Sequence, residues 1–344
     1  MRPAGLRLIR AAGFSLLWSP RLVWIGAGLV CAVLVLAIVH LGTGRLTLGP
    51  GQILSALLGT SDDPIASRIL QAVRLPRVLT AASVGAALGL SGAVFQSLSR
   101  NPLGSPDVIG FTTGAASGAI AQIILGGLDP IRTAIAAIGS GLATAAAVLL
   151  LARRGPAAGG SFRLILVGIG MGAILGGLNT VLLAKGDIDR VMAAQVWLAG
   201  SLNARGWDHV LIAAGGLALF APIVVLLGRR LSLMELGTDM ARQLGVPVGI
   251  TRSVLVLAAV GLSSVGTAAA GPIAFVALAA PQIARRLARA PGVPLFRSAA
   301  IGAGILLAAD LLGQAAPFAL ALPIGLTTGL LGGLYLLLVV SRAR

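Results

Sequence analysis

Acidic residues are scarce in this chain. Of 344 residues only ten are Asp or Glu, against 26 Lys and Arg, and the net charge is +16. Lysine is scarcer still: Lys185 is the only one, and Gly186 follows it. A P-loop needs a Lys followed by Ser or Thr, so no nucleotide cradle of that type is present. The single cysteine, Cys31, excludes an internal disulfide and a thiolate cluster, and packing is its expected role. His40 and His209 are the only histidines, far apart and without clustered carboxylates, so no metal site is expected. No Ser/His/Asp arrangement stands out. The reading is therefore no catalytic residue, no metal and no cofactor, and hence no enzyme. Aromatics make up 4% and are not interleaved with the arginines, so the positive charge does not point to nucleic acid.

What is abundant is apolar. The chain is 57% hydrophobic and 10% charged, with mean hydropathy +0.99 and 48 glycines. A soluble domain averages about 25% charge. The strand-length alternation of an outer-membrane barrel is missing. An all-α polytopic membrane protein is the expectation, with ten apolar spans near 22–41, 78–98, 107–126, 131–152, 162–184, 208–228, 253–270, 272–288, 296–313 and 323–340. The weakest division lies between the seventh and eighth, at Gly271-Pro272. The first run is long for a signal segment and has no small-residue cleavage site after it, so it is read as a retained helix. With the N-terminus in the cytoplasm, 18 basic residues fall inside and 8 outside. That bias places both termini in the cytoplasm and the whole of 1–344 in one cytoplasmic-membrane domain, with 1–21 and 229–252 as cytoplasmic segments.

Leu231 to Arg252 is a polar island between two apolar runs. Glu235 and Asp239 are four apart, which would put them on one helix face, and Met234, Leu236, Met240 and Leu244 could dock that helix on something. Gly245 and Pro247 should stop it. It is a candidate handle; the alternative is a helix lying on lipid headgroups. Glycines repeat at helical spacing at 110/114/118, 168/172/176 and 325/329/333, giving flat faces for close packing of neighbouring helices. Outside, Arg74-Leu75-Pro76-Arg77 could snorkel or could pair with an acidic partner. Asp107 should open the third span, and Asp310 is the only acid well inside one. Ion-coupled carriers bury more ionisable groups than this, so the bundle is expected to draw its energy from a separate ATPase.

The chain resembles the iron-siderophore and vitamin B12 permease family of bacterial ABC importers. The motifs carrying the resemblance are Arg74-Leu75-Pro76-Arg77; Gly85 to Gln96; Arg100-Asn101-Pro102-Leu103 with Pro106; Trp197 with Gly200-Ser201-Leu202; Leu236-Gly237 with Ala241 to Gly245; Gly271 to Val276; Pro281 with Arg285; Ala309-Asp310; and Leu322 to Gly325. Stretches 105–111, 167–170 and 200–207 look nearer to the ferric enterobactin type than to the B12 type.

The resemblance implies the ten-helix fold of B12-type (type II) ABC importers, with helices two to five and seven to ten related by an inverted repeat. It also implies a second permease subunit, two ABC ATPase subunits and an extracytoplasmic siderophore-binding protein, with membrane lipid around the bundle. Glu235, Leu236, Gly237, Ala241, Arg242, Gln243, Leu244 and Gly245 would then contact the ATPase, and Arg74 and Arg77 the binding protein. Gln314, Ala321 and Gln282 stand where the family often has Arg, Glu and His, which favours a heterodimer with a sister permease. Ser91, Gln96, Asn179 and Thr180 are candidates to line the translocation path; their alternative is interhelical hydrogen bonding. The expected function is import of a ferric siderophore. The rivals are an ion-coupled secondary transporter using Asp310 and a membrane scaffold without transport.

Overall fold

The structure, a computed structural model, describes residues 7–11, 14–44, 46–60, 63–153, 161–290, 292–314 and 323–341. A short antiparallel hairpin, β1 (Arg7–Ala11) and β2 (Phe14–Trp18), precedes the first helix. Everything after it is helical: α1 (Pro20–Gly42), α2 (Pro50–Leu57), α3 (Pro64–Ile69), α4 (Leu75–Ser99), α5 (Phe111–Gly126), α6 (Pro130–Arg153), α7 (Ser161–Lys185), α8 (Ile188–Leu198), α9 (Trp207–Glu235), α10 (Thr238–Gln243), α11 (Val248–Ala270), α12 (Val276–Ala288), α13 (Leu295–Gln314) and α14 (Ile324–Ser341). Among the described residues seven helices are long and apolar enough to cross a membrane. A helix sits on each of the ten apolar runs; α5, α12 and α14 are the three outside that seven.

Helix α4 is the centre of the bundle, and glycine puts it there. Along Gly85-Ala-Ala-Leu-Gly89-Leu-Ser-Gly92 three glycines fall on faces that meet other backbones. A Cβ at Gly85 would collide with the Gly302 carbonyl, one at Gly89 with the Ser298 carbonyl, and one at Gly92 with the Ala277 carbonyl. Helices α13 and α12 thus lie against α4 main chain to main chain, the close approach that small residues permit in a membrane bundle. With α11, also almost wholly buried, α4 forms the interior.

Two runs that read as full spans are shortened at their N-termini. The third begins at Phe111 rather than near 107, after an unwound stretch ending at Gly110 with φ +85°. The eighth begins at Val276 rather than 272, after Gly271 (φ +78°) and Phe275 (φ +69°). At 1.5 Å per residue α5 is about 24 Å long and α12 about 20 Å, short of a bilayer core of about 30 Å.

The helices share two ends. Pro20, Ser99, Glu235, Val248, Ala288 and Leu295 gather at the end carrying α10. His40, Arg77, Trp207 and Asp310 gather at the opposite end, where Trp207 Nε1 donates to the Gln71 carbonyl at 3.2 Å.

Candidate functional site

At the end opposite α10, four polar side chains from three helices meet. Arg77 Nε and Nη2 donate to Asp310 Oδ2 and Oδ1, both at 2.7 Å. His40 Nε2 lies 2.6 Å from Oδ2, and Gln314 Nε2 donates to the same oxygen at 3.2 Å. Asp310 is 4% exposed and His40 2%, so the carboxylate has its charge matched inside the bundle by Arg77. The fork-on-carboxylate geometry is the strong, directional kind. Asp310 is therefore a knot tying α13 to α4 and α1.

Arg74 is placed differently from what the Arg-Leu-Pro-Arg motif led one to expect. A π-helical turn over Leu70–Arg74 feeds into α4. Its Arg74 side chain is buried, donates from Nη1 to the Leu41 carbonyl at 2.7 Å, and also bonds the Leu46 carbonyl through Nη2. A cation on the last carbonyls of α1 suits that helix terminus. Arg77 is the more open of the two arginines, with its side chain 20% exposed. Arg68 on α3 is exposed one turn earlier, in a surface hollow with Gln71 and Trp207.

Midway along the bundle the N-termini of α5 and α12 face each other across a cavity of about 320 Å³. Asp107, Thr112, Thr113, Asn179 and the Pro272–Ala274 strand of backbone line it. Asp107 accepts from Thr112 Oγ1 at 3.1 Å and lies beside the Phe275 backbone N–H, so one carboxylate sits at the start of both short helices. Of the four path candidates, Asn179 alone reaches this cavity. Ser91 is fully buried and donates to the Ala259 carbonyl at 2.6 Å. Gln96 donates to the Leu278 carbonyl at 2.9 Å while bordering a second cavity nearer α10. Thr180 is exposed and bonds back to the Gly176 carbonyl within its own helix. Asp107, Thr112 and Thr113 were not legible as residues that share a cavity. The signal was present in Asp107, an acid beside a span, but it read as a helix-start carboxylate.

At the α10 end the polar island folds as two helices, not one. Leu236 and Gly237, the latter with φ +127°, break the chain between α9 and α10, and Gly245, with φ +80°, closes α10 as expected. The break separates Glu235 from Asp239. Glu235 turns inward and accepts from Arg285 at 2.6 Å, and Arg285 also donates to Ser97 Oγ at 2.8 Å. Asp239 stays outside and pairs with Arg242 at 3.0 Å. Ala241 and Met234 are buried and seat the helix, whereas Leu236, Met240 and Leu244 are more than half exposed. Beneath lies a cavity of about 300 Å³ bordered by Gln96, Arg100, Asn101, Glu235, Gln282 and Arg285, with Gln282 holding the Pro102 carbonyl at 2.8 Å. No group of three His, Cys, Asp or Glu suited to a metal occurs among the described residues. Of the positions that depart from the family pattern, Ala321 lies outside the described residues.

Several sequence motifs converge in space. Ser201 N donates to the Ala270 carbonyl at 2.7 Å, Gly200 lies against Pro272, and Gly325 lies against Ala199 and Pro272. Three stretches far apart in the chain thus share one packing point.

Known proteins resemble this chain in sequence and fold. The chain is 44% identical over 317 residues to the ferric enterobactin transport system permease protein FepG of Escherichia coli K12, covering 92% of this chain and 95% of the relative. It is 36% identical to the achromobactin transport system permease protein CbrC of Dickeya dadantii, covering 91% and 89%. A solved metal-chelate type ABC transporter in an inward-facing conformation superposes with a TM-score of 0.83 at 29% identity, covering 93% of this chain and 99% of that one. The FecCD transport family matches residues 32–342, and with relatives this similar over nearly its whole length the chain belongs to that family.

Proposed function

We propose that this chain is the permease subunit of an ABC importer that carries a ferric siderophore, of the enterobactin-like catecholate class, across the cytoplasmic membrane. The observation that carries the reading is α10: a short helix, seated by Ala241, that holds Leu236, Met240 and Leu244 out from the end of the bundle. Exposed apolar side chains on a polar segment need a partner. In an ATP-driven importer of this family that partner is the ATPase. Leu236, Arg242, Gln243 and Leu244 make the contact, Gly237 and Gly245 shape the segment, Ala241 seats it, and Glu235 passes its movement through Arg285 to α12 and α4.

The remaining parts fit around this reading. The chain is one membrane domain of ten crossings with both termini in the cytoplasm; its arginine bias supports that orientation. A second permease, favoured as a sister subunit, covers the glycine-bearing faces of α7 and α14, where Gly170, Gly176, Gly177, Gly329 and Gly333 meet nothing within 4 Å. The binding protein docks at the opposite end, on the surface that holds Arg74 and Arg77. Both are engaged within the chain, so Arg68, exposed beside Trp207, is the cation presented first. The substrate passes the cavity at Asp107 and Asn179 and then the one at Gln96. An ion-coupled carrier is set aside, since Asp310 is tied to Arg77 and the family is one of ABC permeases.

The test is a pair of substitutions, Leu236→Asp and Leu244→Asp, in the chain expressed with its neighbouring permease, ATPase and binding protein. Both side chains are exposed, so folding stability should change by no more than about 0.5 kcal/mol. Co-purification of the ATPase and uptake of iron chelate should both be lost. Unchanged ATPase capture and uptake would end the reading.

A further inference from the structure

We infer that the cleft between α1 and α13 at the α10 end is a binding site for an anionic phospholipid. The two helices are joined at one end by His40 and Asp310, and toward the other end Phe296 and Arg297 of α13 stand beside the first turns of α1. A groove of about 770 Å³ lies there, walled by Val23, Val30, Leu34 and Phe296. Small residues, Gly26 and Ala27, form part of its floor, and a Cβ added at Gly26 would lie 3.6 Å from the Phe296 ring. Phe296 is 62% exposed, so the wall faces outward from the bundle. An apolar groove on the outside of a membrane bundle takes acyl chain.

The headgroup preference comes from Arg297, which borders the same groove. Its Nε is shielded and has no hydrogen-bond partner among the described residues. None of the ion pairs among those residues includes it. Arg74, Arg77 and Arg285, by contrast, all hold a carbonyl or a carboxylate. Arg21, at the foot of α1, adds a second exposed cation at this end. A half-buried guanidinium whose Nε has no partner among the described residues, set where an acyl groove meets the arginine-rich end of the bundle, matches a phosphate that carries net negative charge. Basic pockets between membrane helices on the cytoplasmic side bind such headgroups. The leaflet rests on the orientation proposed above; the site itself does not.

Cys31 makes the test direct, because it is the sole cysteine, is exposed and borders the groove. The full chain, purified with its partner subunits, is labelled there with bimane and reconstituted into vesicles of phosphatidylcholine and phosphatidylglycerol, with brominated acyl chains on one lipid at a time. At equal mole fractions, brominated phosphatidylglycerol should occupy the site about five-fold more than brominated phosphatidylcholine, and quench accordingly. Arg297→Gln should abolish the preference, Arg297→Lys should keep most of it, and Val30→Trp should lower quenching by both lipids. Equal quenching by the two lipids in the unaltered chain would overturn the proposal, as would quenching by neither, which would mean that protein covers the groove. Orientation is read separately, from the reaction of Ser232→Cys, in a Cys31→Ser background, with an impermeant thiol reagent in spheroplasts. Reaction from outside would move the site to the other leaflet and leave the lipid preference standing.

Discussion

Substituting Asp310 by Asn removes one charge from a buried knot and leaves the rest in place. The carboxylate takes two bonds from Arg77 at 2.7 Å, one from His40 at 2.6 Å and one from Gln314 at 3.2 Å. Breaking a buried ion pair from one side costs about 3–5 kcal/mol. The Arg77 side chain is 20% exposed, so water recovers part of its charge and the lower figure, about 3 kcal/mol, applies. At about 2 °C per kcal/mol for a chain this large, the unfolding midpoint should fall by about 6 °C. The double variant Arg77→Leu with Asp310→Leu leaves neither ion, so it should cost clearly less than the two single changes together, with a coupling of about 2 kcal/mol. Tryptophan fluorescence during heating in detergent gives all four midpoints of the cycle. Uptake by Asp310→Asn should persist in proportion to the folded fraction, and should survive an uncoupler while ATP is maintained. Strictly additive costs would refute the ion-pair reasoning. Loss of uptake in a variant that stays folded would show that Asp310 does more than hold helices together.

Gly92→Ala puts a methyl group into the Ala277 carbonyl and should destabilise by about 3 kcal/mol, at the top of the overpacking range, whereas Gly28→Ala in open space should be neutral or stabilise by up to about 1 kcal/mol; heating the two side by side checks this. Arg74→Gln loses two charge-assisted bonds to carbonyls and should cost about 2 kcal/mol, while Arg68→Glu should leave stability alone and weaken capture of the binding protein; the reverse pattern in thermal and pull-down assays would count against the placement of these arginines. Glu235→Gln weakens the link to Arg285 without touching the exposed face of α10, so the ATPase should still co-purify while transport per ATP hydrolysed falls several-fold, measured in vesicles.

The helices were legible because a lipid-facing or lipid-depth helix announces itself in hydropathy, and the arginines mark its ends. The run from Gly85 to Gln96 was legible only as a family motif, and the structure adds that its glycines pack against the carbonyls of Gly302, Ser298 and Ala277. The unwound starts of α5 and α12 were hidden, since Asp107–Gly110 and Pro272–Phe275 are as apolar as the helices that follow. Hydropathy measures where a segment lies, not whether its backbone is wound. The break at Leu236-Gly237 was missed for a related reason: a four-residue spacing assumes a continuous helix, and a positive-φ glycine cancels it. Arg74 could not be separated from Arg77, because two arginines three apart look alike until the carbonyl ends of α1 and the carboxylate of α13 are in view. The stripe from Gly325 to Gly333 was read as one face; of its three glycines only Gly325 is packed against other described residues.

The way α1 is held at one end sets an order of events during synthesis. Arg74, 33 positions downstream of Leu41, can cap the end of α1 as soon as the turn leading into α4 is made. His40 must wait for Asp310, 270 positions later. Until α13 arrives, the His40 imidazole has no Asp310 carboxylate to meet it. The N-terminal helix is thus clasped early by one arginine and latched last by one aspartate, and a ribosome stalled before residue 310 should leave it loosely held.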